Sequence, residues 1–187
     1  MILYLHGLNS AGTAGKAITL QHAFEPLPVL SPTYPAYSPH HAVEQLTQLM
    51  SEVSHPEQVI IVGSSMGGFY GQYLARQFPI KRLMMINPAL HPWQLLKNSV
   101  GPQQNFVTGE CYQLTQVLVD ATRQYGIENV NDGVATTLFL DRDDETIDCQ
   151  IAIDTYCGVG ELCIFDGGDH RFQHMKEAVE IIRRYIS

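Results

Sequence analysis

Short unbroken apolar runs alternate along this chain with longer stretches in which apolar residues recur every three to four positions. The runs have the length of strands buried on both faces, and the stretches between them have the period of amphipathic helices. Strands are expected at residues 2–5, 28–30, 59–62, 83–86, 137–140 and 162–165, the second being the weakest. Helices are expected at residues 16–24, 42–53, 69–78, 112–124, 147–156 and 172–185. Strand and helix in regular alternation predict an α/β fold: a mainly parallel six-stranded sheet with helices on both faces, three layers in all. Residues 31–39, with three prolines and two tyrosines, read as a loop.

One connection is too long for a simple crossover. Between the fourth and fifth strands the chain runs from Asn87 to Asp132, and this stretch predicts a small helical insertion at residues 88–132, placed as a cap over the carboxyl edge of the sheet, where open α/β folds bind ligands. A long decorated loop with one helix packed on the sheet accounts for it equally well. No repeat or low-complexity linker divides the chain, so residues 1–187 are expected to form one domain.

Eleven basic residues against nineteen acidic ones give a net charge of -8, and no basic cluster exceeds Arg183-Arg184. That composition argues against nucleic acid and anionic membranes as partners. The amino end has no basic region and only a short apolar run, unlike a signal peptide or a spanning helix. Cys111, Cys149, Cys157 and Cys163 fall at irregular spacings without a C-x-x-C pair, which predicts free thiols in a reducing cytoplasm and no metal site.

The chemistry concentrates at strand ends. Residues 59–62 run directly into Gly63-Ser64-Ser65-Met66-Gly67-Gly68, with proline-free helical sequence following up to Pro79. This G-x-S-x-G step reads as a nucleophile elbow, in which the serine takes strained backbone angles and its flanks must lack side chains. Ser65 is the expected nucleophile. After the fifth strand comes Asp141-Arg142-Asp143-Asp144-Glu145-Thr146-Ile147-Asp148. The triad acid belongs in this turn, with Asp144 first because its D-E-x-[VI] step resembles the acid turn of many α/β-hydrolases, then Asp148 and Asp143. Other aspartates here serve as solvated surface or as a helix cap.

After the last strand, Gly167-Gly168-Asp169-His170 forms a tight loop, and the chain order Ser65, Asp144, His170 is that of nucleophile, acid and base in the α/β-hydrolase fold. The other histidines, including His91 and His174, lack this context. The first strand ends in His6-Gly7-Leu8-Asn9-Ser10, whose turn frees backbone N–H groups, so Leu8 and Met66 are the expected oxyanion donors and His6 shapes the turn. A phosphate-loop reading of residues 12–17 fails, since Ser10 stands where the first glycine is needed and Ala17 where a Ser or Thr would hold magnesium.

Taken together, Tyr4-Leu5-His6-Gly7-Leu8-Asn9-Ser10, Gly63-Ser64-Ser65-Met66-Gly67-Gly68-Phe69-Tyr70, Asn87-Pro88-Ala89-Leu90-His91-Pro92, Thr108-Gly109, Asp144-Glu145 and Gly167-Gly168-Asp169-His170 resemble the small bacterial YqiA/YcfP-type esterases over nearly the whole length. The resemblance implies a minimal α/β-hydrolase without the usual first two strands, esterase or acyl thioesterase activity, and the triad roles for Ser65, Asp144 and His170. Some YcfP-like members lack the elbow serine, which this chain keeps; it departs at Asp143, where the YqiA-like turn has glycine.

The expected reaction is hydrolysis of a small-molecule carboxylic ester or acyl thioester through an acyl-enzyme, with no cofactor. Tyr34, Phe69 and Trp93 are candidates for an apolar substrate pocket. Two other readings stand beside it: another acyl hydrolase on the same triad, such as a peptidase or lactone hydrolase, and a non-catalytic binding module of the same fold.

Overall fold

The computed structural model describes residues 1–186. Six strands form one parallel sheet: β1 (Ile2–Leu5), β2 (Val29–Leu30), β3 (Ile60–Ser64), β4 (Arg82–Ile86), β7 (Thr136–Asp141) and β8 (Glu161–Phe165), in the order β2-β1-β3-β4-β7-β8. Every strand foreseen from the apolar runs is present. The order reverses direction at β1 and β3, the type of switch point where ligands bind in open α/β sheets.

The period-two alternation of a strand sorts its side chains into two cores. Leu3, Leu5, Ile61, Leu83, Met85, Leu138 and Leu140 face one way, onto α2 (Pro39–Ser51), α3 (Met66–Gln77) and α6 (Cys149–Tyr156). Ile2, Tyr4, Ile60, Val62, Met84, Ile86 and Phe139 face the other, onto α1 (Gly15–Phe24) and α7 (Met175–Arg183). Both faces are covered, so β1, β3, β4 and β7 read as nearly continuous apolar runs rather than as alternating ones.

Helix starts differ from the periodicity where local chemistry overrides it. Helix α2 begins at Pro39, inside the stretch read as loop, because proline is suited to the first helical position. Helix α6 begins at Cys149 because the Asp148 carboxylate accepts the Gln150 N–H and caps it. Helix α7 starts only at Met175, after Phe172 has taken a left-handed φ of 64°.

The insertion after β4 is only partly helical. It holds a short α4 (Pro92–Leu95), an antiparallel hairpin of β5 (Gly101–Gln104) and β6 (Cys111–Leu114), and α5 (Gln116–Ala121). The helix expected over 112–124 therefore begins late. Thr115 takes extended angles and its hydroxyl accepts the Leu118 N–H, fixing the helix start after it. Upstream, the Asn105 side chain accepts the Val107 and Thr108 N–H groups, and Gly109 (φ 77°) completes a turn that folds β6 back on β5.

Candidate active site

Ser65 stands between β3 and α3 with φ 53° and ψ −118°, a backbone state that a non-glycine residue holds only when its surroundings enforce it. They do so through pairing on both sides: Ser65 N–H donates to the Ile86 carbonyl (3.0 Å) and its own carbonyl accepts from Ala89 (3.1 Å) and Gly68 (2.9 Å). The elbow glycines are steric necessities. A Cβ at position 63 would run into the Gly67 carbonyl, and one at 67 into the Leu5 carbonyl. Gly7 faces the serine itself, and a Cβ there would lie 3.1 Å from Ser65 Cβ.

His170 lies in the loop between β8 and α7. Its Nδ1 is 2.8 Å from Asp144 Oδ2 and 3.1 Å from Oδ1, in the turn after β7. The Asp144 side chain is 1% exposed, and Oδ1 also accepts the Thr146 (2.9 Å) and Ile147 (2.8 Å) N–H groups. The carboxylate is thus locked in place, and with Nδ1 engaged, Nε2 is the ring nitrogen left for other work. Asp148 caps α6 and Asp143 is exposed, so of the three candidate acids only Asp144 is paired with His170.

A second histidine–aspartate pair, unforeseen from sequence, lies alongside. Asp141 ends β7 fully buried; its Oδ1 accepts from His174 Nδ1 (2.6 Å) and its Oδ2 from Gln173 N–H (2.7 Å) and Asp169 N–H (3.3 Å). The His174 ring stacks on Phe165 at 4.7 Å. Asn87 (φ 41°, 3% exposed) joins this pair to the elbow, accepting the Asp141 N–H (2.9 Å) and donating to the Asp169 carbonyl (3.0 Å). The loop bearing His170 is therefore bolted to β4 and β7. Gly168 (φ 81°) leaves room for Asp141, which a Cβ there would strike.

On the other side of Ser65, the turn after β1 is shaped by His6, which is 1% exposed. Its Nδ1 is 2.8 Å from the Gly7 carbonyl and its Nε2 accepts the Tyr34 N–H at 3.2 Å, the pattern of a neutral ring protonated on Nδ1. Burial holds the imidazole below its ordinary pKa, the bond to Gly7 opposing. Among the described residues, neither Leu8 N–H nor Met66 N–H has a protein acceptor. Both lie beside Ser65 in sequence or through Gly7. Lys16, half-buried in the first turn of α1, has its ammonium drawn below the usual lysine range by burial, with the Asp169 and Asp141 carboxylates opposing.

Of the three aromatic pocket candidates, Tyr34 borders a cavity beside the turn after β1, and Phe69 and Trp93 lie outside it. Tyr34 is buried, stacks on His6 and donates its hydroxyl to the His6 carbonyl at 2.6 Å. Phe69 is wholly buried in the core, and Trp93 packs in the insertion near Arg123. An apolar groove of about 250 Å³ runs instead between the segment after β4 and the acid turn, lined chiefly by Pro88, Leu90, Leu95, Ile147 and Ile151. Ala89, which also borders it, is the residue bonded to the Ser65 carbonyl. The apolar residues spaced along 88–95 could have pointed to this groove, but nothing in the sequence tells which face they present.

No group of three or more His, Cys, Asp or Glu side chains suited to a metal ion occurs among the described residues, and no described helix is long and apolar enough to cross a membrane. The fold is that of the α/β-hydrolases. It matches a putative hydrolase from Agrobacterium vitis S4 with a TM-score of 0.78 at 19% identity, covering 100% of this chain and 87% of that one. It also matches the esterase domain of a Rhodothermus marinus protein with a TM-score of 0.70 at 18% identity, covering 100% and 87%. In sequence, a UPF0227 protein of Shewanella woodyi is 26% identical over 182 residues, 92% of this chain and 91% of that relative. The match to the family model described as "Uncharacterised protein family (UPF0227)" extends over residues 1–187, and to that family the chain belongs.

Proposed function

We propose that this protein is a serine hydrolase acting on carboxylic esters or acyl thioesters of small molecules. The observation that carries the reading is the His170–Asp144 pair, at 2.8 and 3.1 Å, at the same sheet edge as a serine strained to φ 53°. In this reading His170 Nε2 takes the Ser65 proton as the hydroxyl attacks the carbonyl carbon, and Asp144 holds the ring and stabilises the imidazolium. The negative charge on the carbonyl oxygen is met by the Leu8 and Met66 N–H groups. The alcohol or thiol leaves with the proton from His170. Water, deprotonated by the same histidine, then attacks the acyl-enzyme, and the acid is released.

The esterase domain among the structural relatives supports an ester as the bond cleaved. The apolar groove beside Ala89 suits an acyl chain, and its modest size favours short to medium lengths. A peptidase or lactone hydrolase would use the same groups; a substrate panel separates them.

The test is fluorophosphonate labelling, with turnover of p-nitrophenyl butyrate and acyl-CoA, in wild type, Ser65→Ala and His170→Ala. Labelling and turnover in the wild type, lost by about 10⁴-fold or more in both variants, is the expected result. A wild type that neither labels nor turns over, or a Ser65→Ala variant with full activity, overturns the reading in favour of a binding module.

A further inference from the structure

The hairpin β5–β6 belongs to the insertion, yet its contacts converge on the turn after β1. Tyr112 donates its hydroxyl to Asn9 Oδ1 at 2.6 Å, and the Asn9 amide donates to Gln103 Oε1 at 3.3 Å. The Asn105 amide donates to the Ser10 carbonyl at 2.7 Å, and Phe106 N–H to the Asn9 carbonyl at 3.2 Å. Four hydrogen bonds, spanning more than ninety residues of sequence, thus hold two consecutive residues. Asn9 needs holding, because it sits at φ 56°, in the left-handed region. Leu8 precedes it directly, and its N–H lies in the Gly7–Leu8 peptide plane, so the clamp on Asn9 reaches that N–H through the backbone angles of Leu8.

A cavity of about 190 Å³, bordered by polar and aromatic side chains, lies between this hairpin, the turn after β1 and residues 33–37. Most of the polar side chains that line it already have protein partners. Besides the bonds above, Tyr37 donates to Glu110 at 3.0 Å, and Thr33 accepts the Gly12 N–H at 3.0 Å. Tyr37 and Tyr112 are stacked on each other at 3.8 Å, so neither ring face is free for a guest between them. A network so largely engaged with itself is suited to fixing geometry.

We infer that Tyr112 and Asn105 are positioning residues for the oxyanion donor: the hairpin clamps Asn9 and Ser10 and thereby aims the Leu8 N–H at the developing charge. This rests on the serine hydrolase reading. Preorganised donors contribute most when they are already oriented before the charge develops. Loosening the clamp therefore acts on the transition state while leaving the binding of the ground-state ester alone.

Two near-isosteric variants test it. Tyr112→Phe deletes one hydroxyl and keeps the stack on Tyr37. Asn105→Asp keeps the acceptor that shapes the hairpin turn through Val107 and Thr108, and turns the donor to Ser10 into a carboxylate oxygen that repels the Ser10 carbonyl. Both are compared with wild type for kcat and KM on p-nitrophenyl butyrate, for the inhibition constant of a trifluoromethyl ketone whose hemiketal adduct with the Ser65 oxygen mimics the tetrahedral state, and for Tm. The expected result is a fall in kcat of about tenfold, a matching loss of ketone affinity, and little change in KM or Tm. Unchanged kcat in both variants overturns the inference, as does a fall in kcat that follows a fall in Tm or appears equally in KM. Ser65→Ala in the same assay keeps the two levels apart. If it retains turnover, the hydrolase reading fails and the inference with it; if it is dead and the clamp variants are unimpaired, only the clamp fails.

Discussion

Two histidines four residues apart each face an aspartate from the β7 end, and the environments of the two pairs give them different work. Asp144 is held by two N–H groups in a turn, and its partner His170 keeps one ring nitrogen uncommitted. Asp141 is fully buried under three donors, and its partner is stacked on Phe165. Asp144→Asn is therefore expected to lower kcat by about 10³–10⁴-fold with a small change in Tm, by presenting the wrong hydrogen-bonding group to Nδ1. Asp141→Asn is expected to act on stability, by about 1–3 kcal/mol, through one mismatched buried group. Urea unfolding and turnover on both variants separate the roles; a reversal would exchange the assignments. The sequence made Asp144 and His170 legible because motif and chain order are read along one dimension. Asp141–His174 is a contact across the sheet edge, and Asp141 looks in sequence like one more member of an acidic turn.

His6 makes a prediction of its own. Burial lowers its folded-state pKa, so in the acid range the unfolded chain binds a proton that the folded chain refuses. Stability contributed by the neutral ring is complete above the ordinary histidine value of 6.5 and declines as pH falls below it toward the lower folded value. His6→Gln, which cannot titrate, should be less stable than wild type at about pH 7.5 but lose less on going to about pH 5. Urea midpoints at the two values check this, and parallel losses in both proteins would show that other groups dominate.

At the level of elements, the sequence announced where strands end and less clearly where helices begin. Strand ends were legible because buried parallel strands are apolar on both faces and stop at glycine or polar residues. Helix starts were set by Pro39, Thr115 and Asp148, each a single residue outside the periodic pattern. The hairpin escaped notice because β5 carries glutamines and a proline and gives no apolar alternation. Its turn chemistry, at Asn105 and Gly109, was the signal present. The elbow is the element whose geometry tolerates least. Gly67→Ala would press a methyl against the Leu5 carbonyl at the junction of β1 and α3, and should leave little folded protein by Tm and expression. The groove between the β4 exit and α6 tolerates more. Ile151 is 41% exposed at its edge, so Ile151→Trp should fold, narrow the groove and move the optimum toward shorter acyl chains. A p-nitrophenyl ester series from acetate to decanoate reads this out, and an unmoved optimum would place the acyl chain elsewhere.

For the molecule as a whole, the parallel order β2-β1-β3-β4-β7-β8 brings the ends of β1, β3, β7 and β8 to one edge, so residues far apart in sequence share one site. That edge carries charge of both signs on an acidic protein. The net charge of -8 repels anionic substrates at long range, whereas Lys16 and Arg171, close to the Asp141, Asp144 and Asp169 carboxylates, act only nearby. Salt distinguishes the two, because screening removes interactions beyond about 8–10 Å at physiological ionic strength and spares close partly buried ones. With a matched pair of esters, one neutral and one bearing a distal carboxylate, the long-range field predicts that raising ionic strength from about 10 to about 150 mM increases kcat/KM for the anionic ester by about twofold or more and leaves the neutral one unchanged. An acyl-CoA thioester, with several phosphate charges, should show the steeper rise. A fall with salt would mean that the local cations outweigh the global field, and that Lys16, half-buried and opposed by carboxylates, is available to meet an incoming anion.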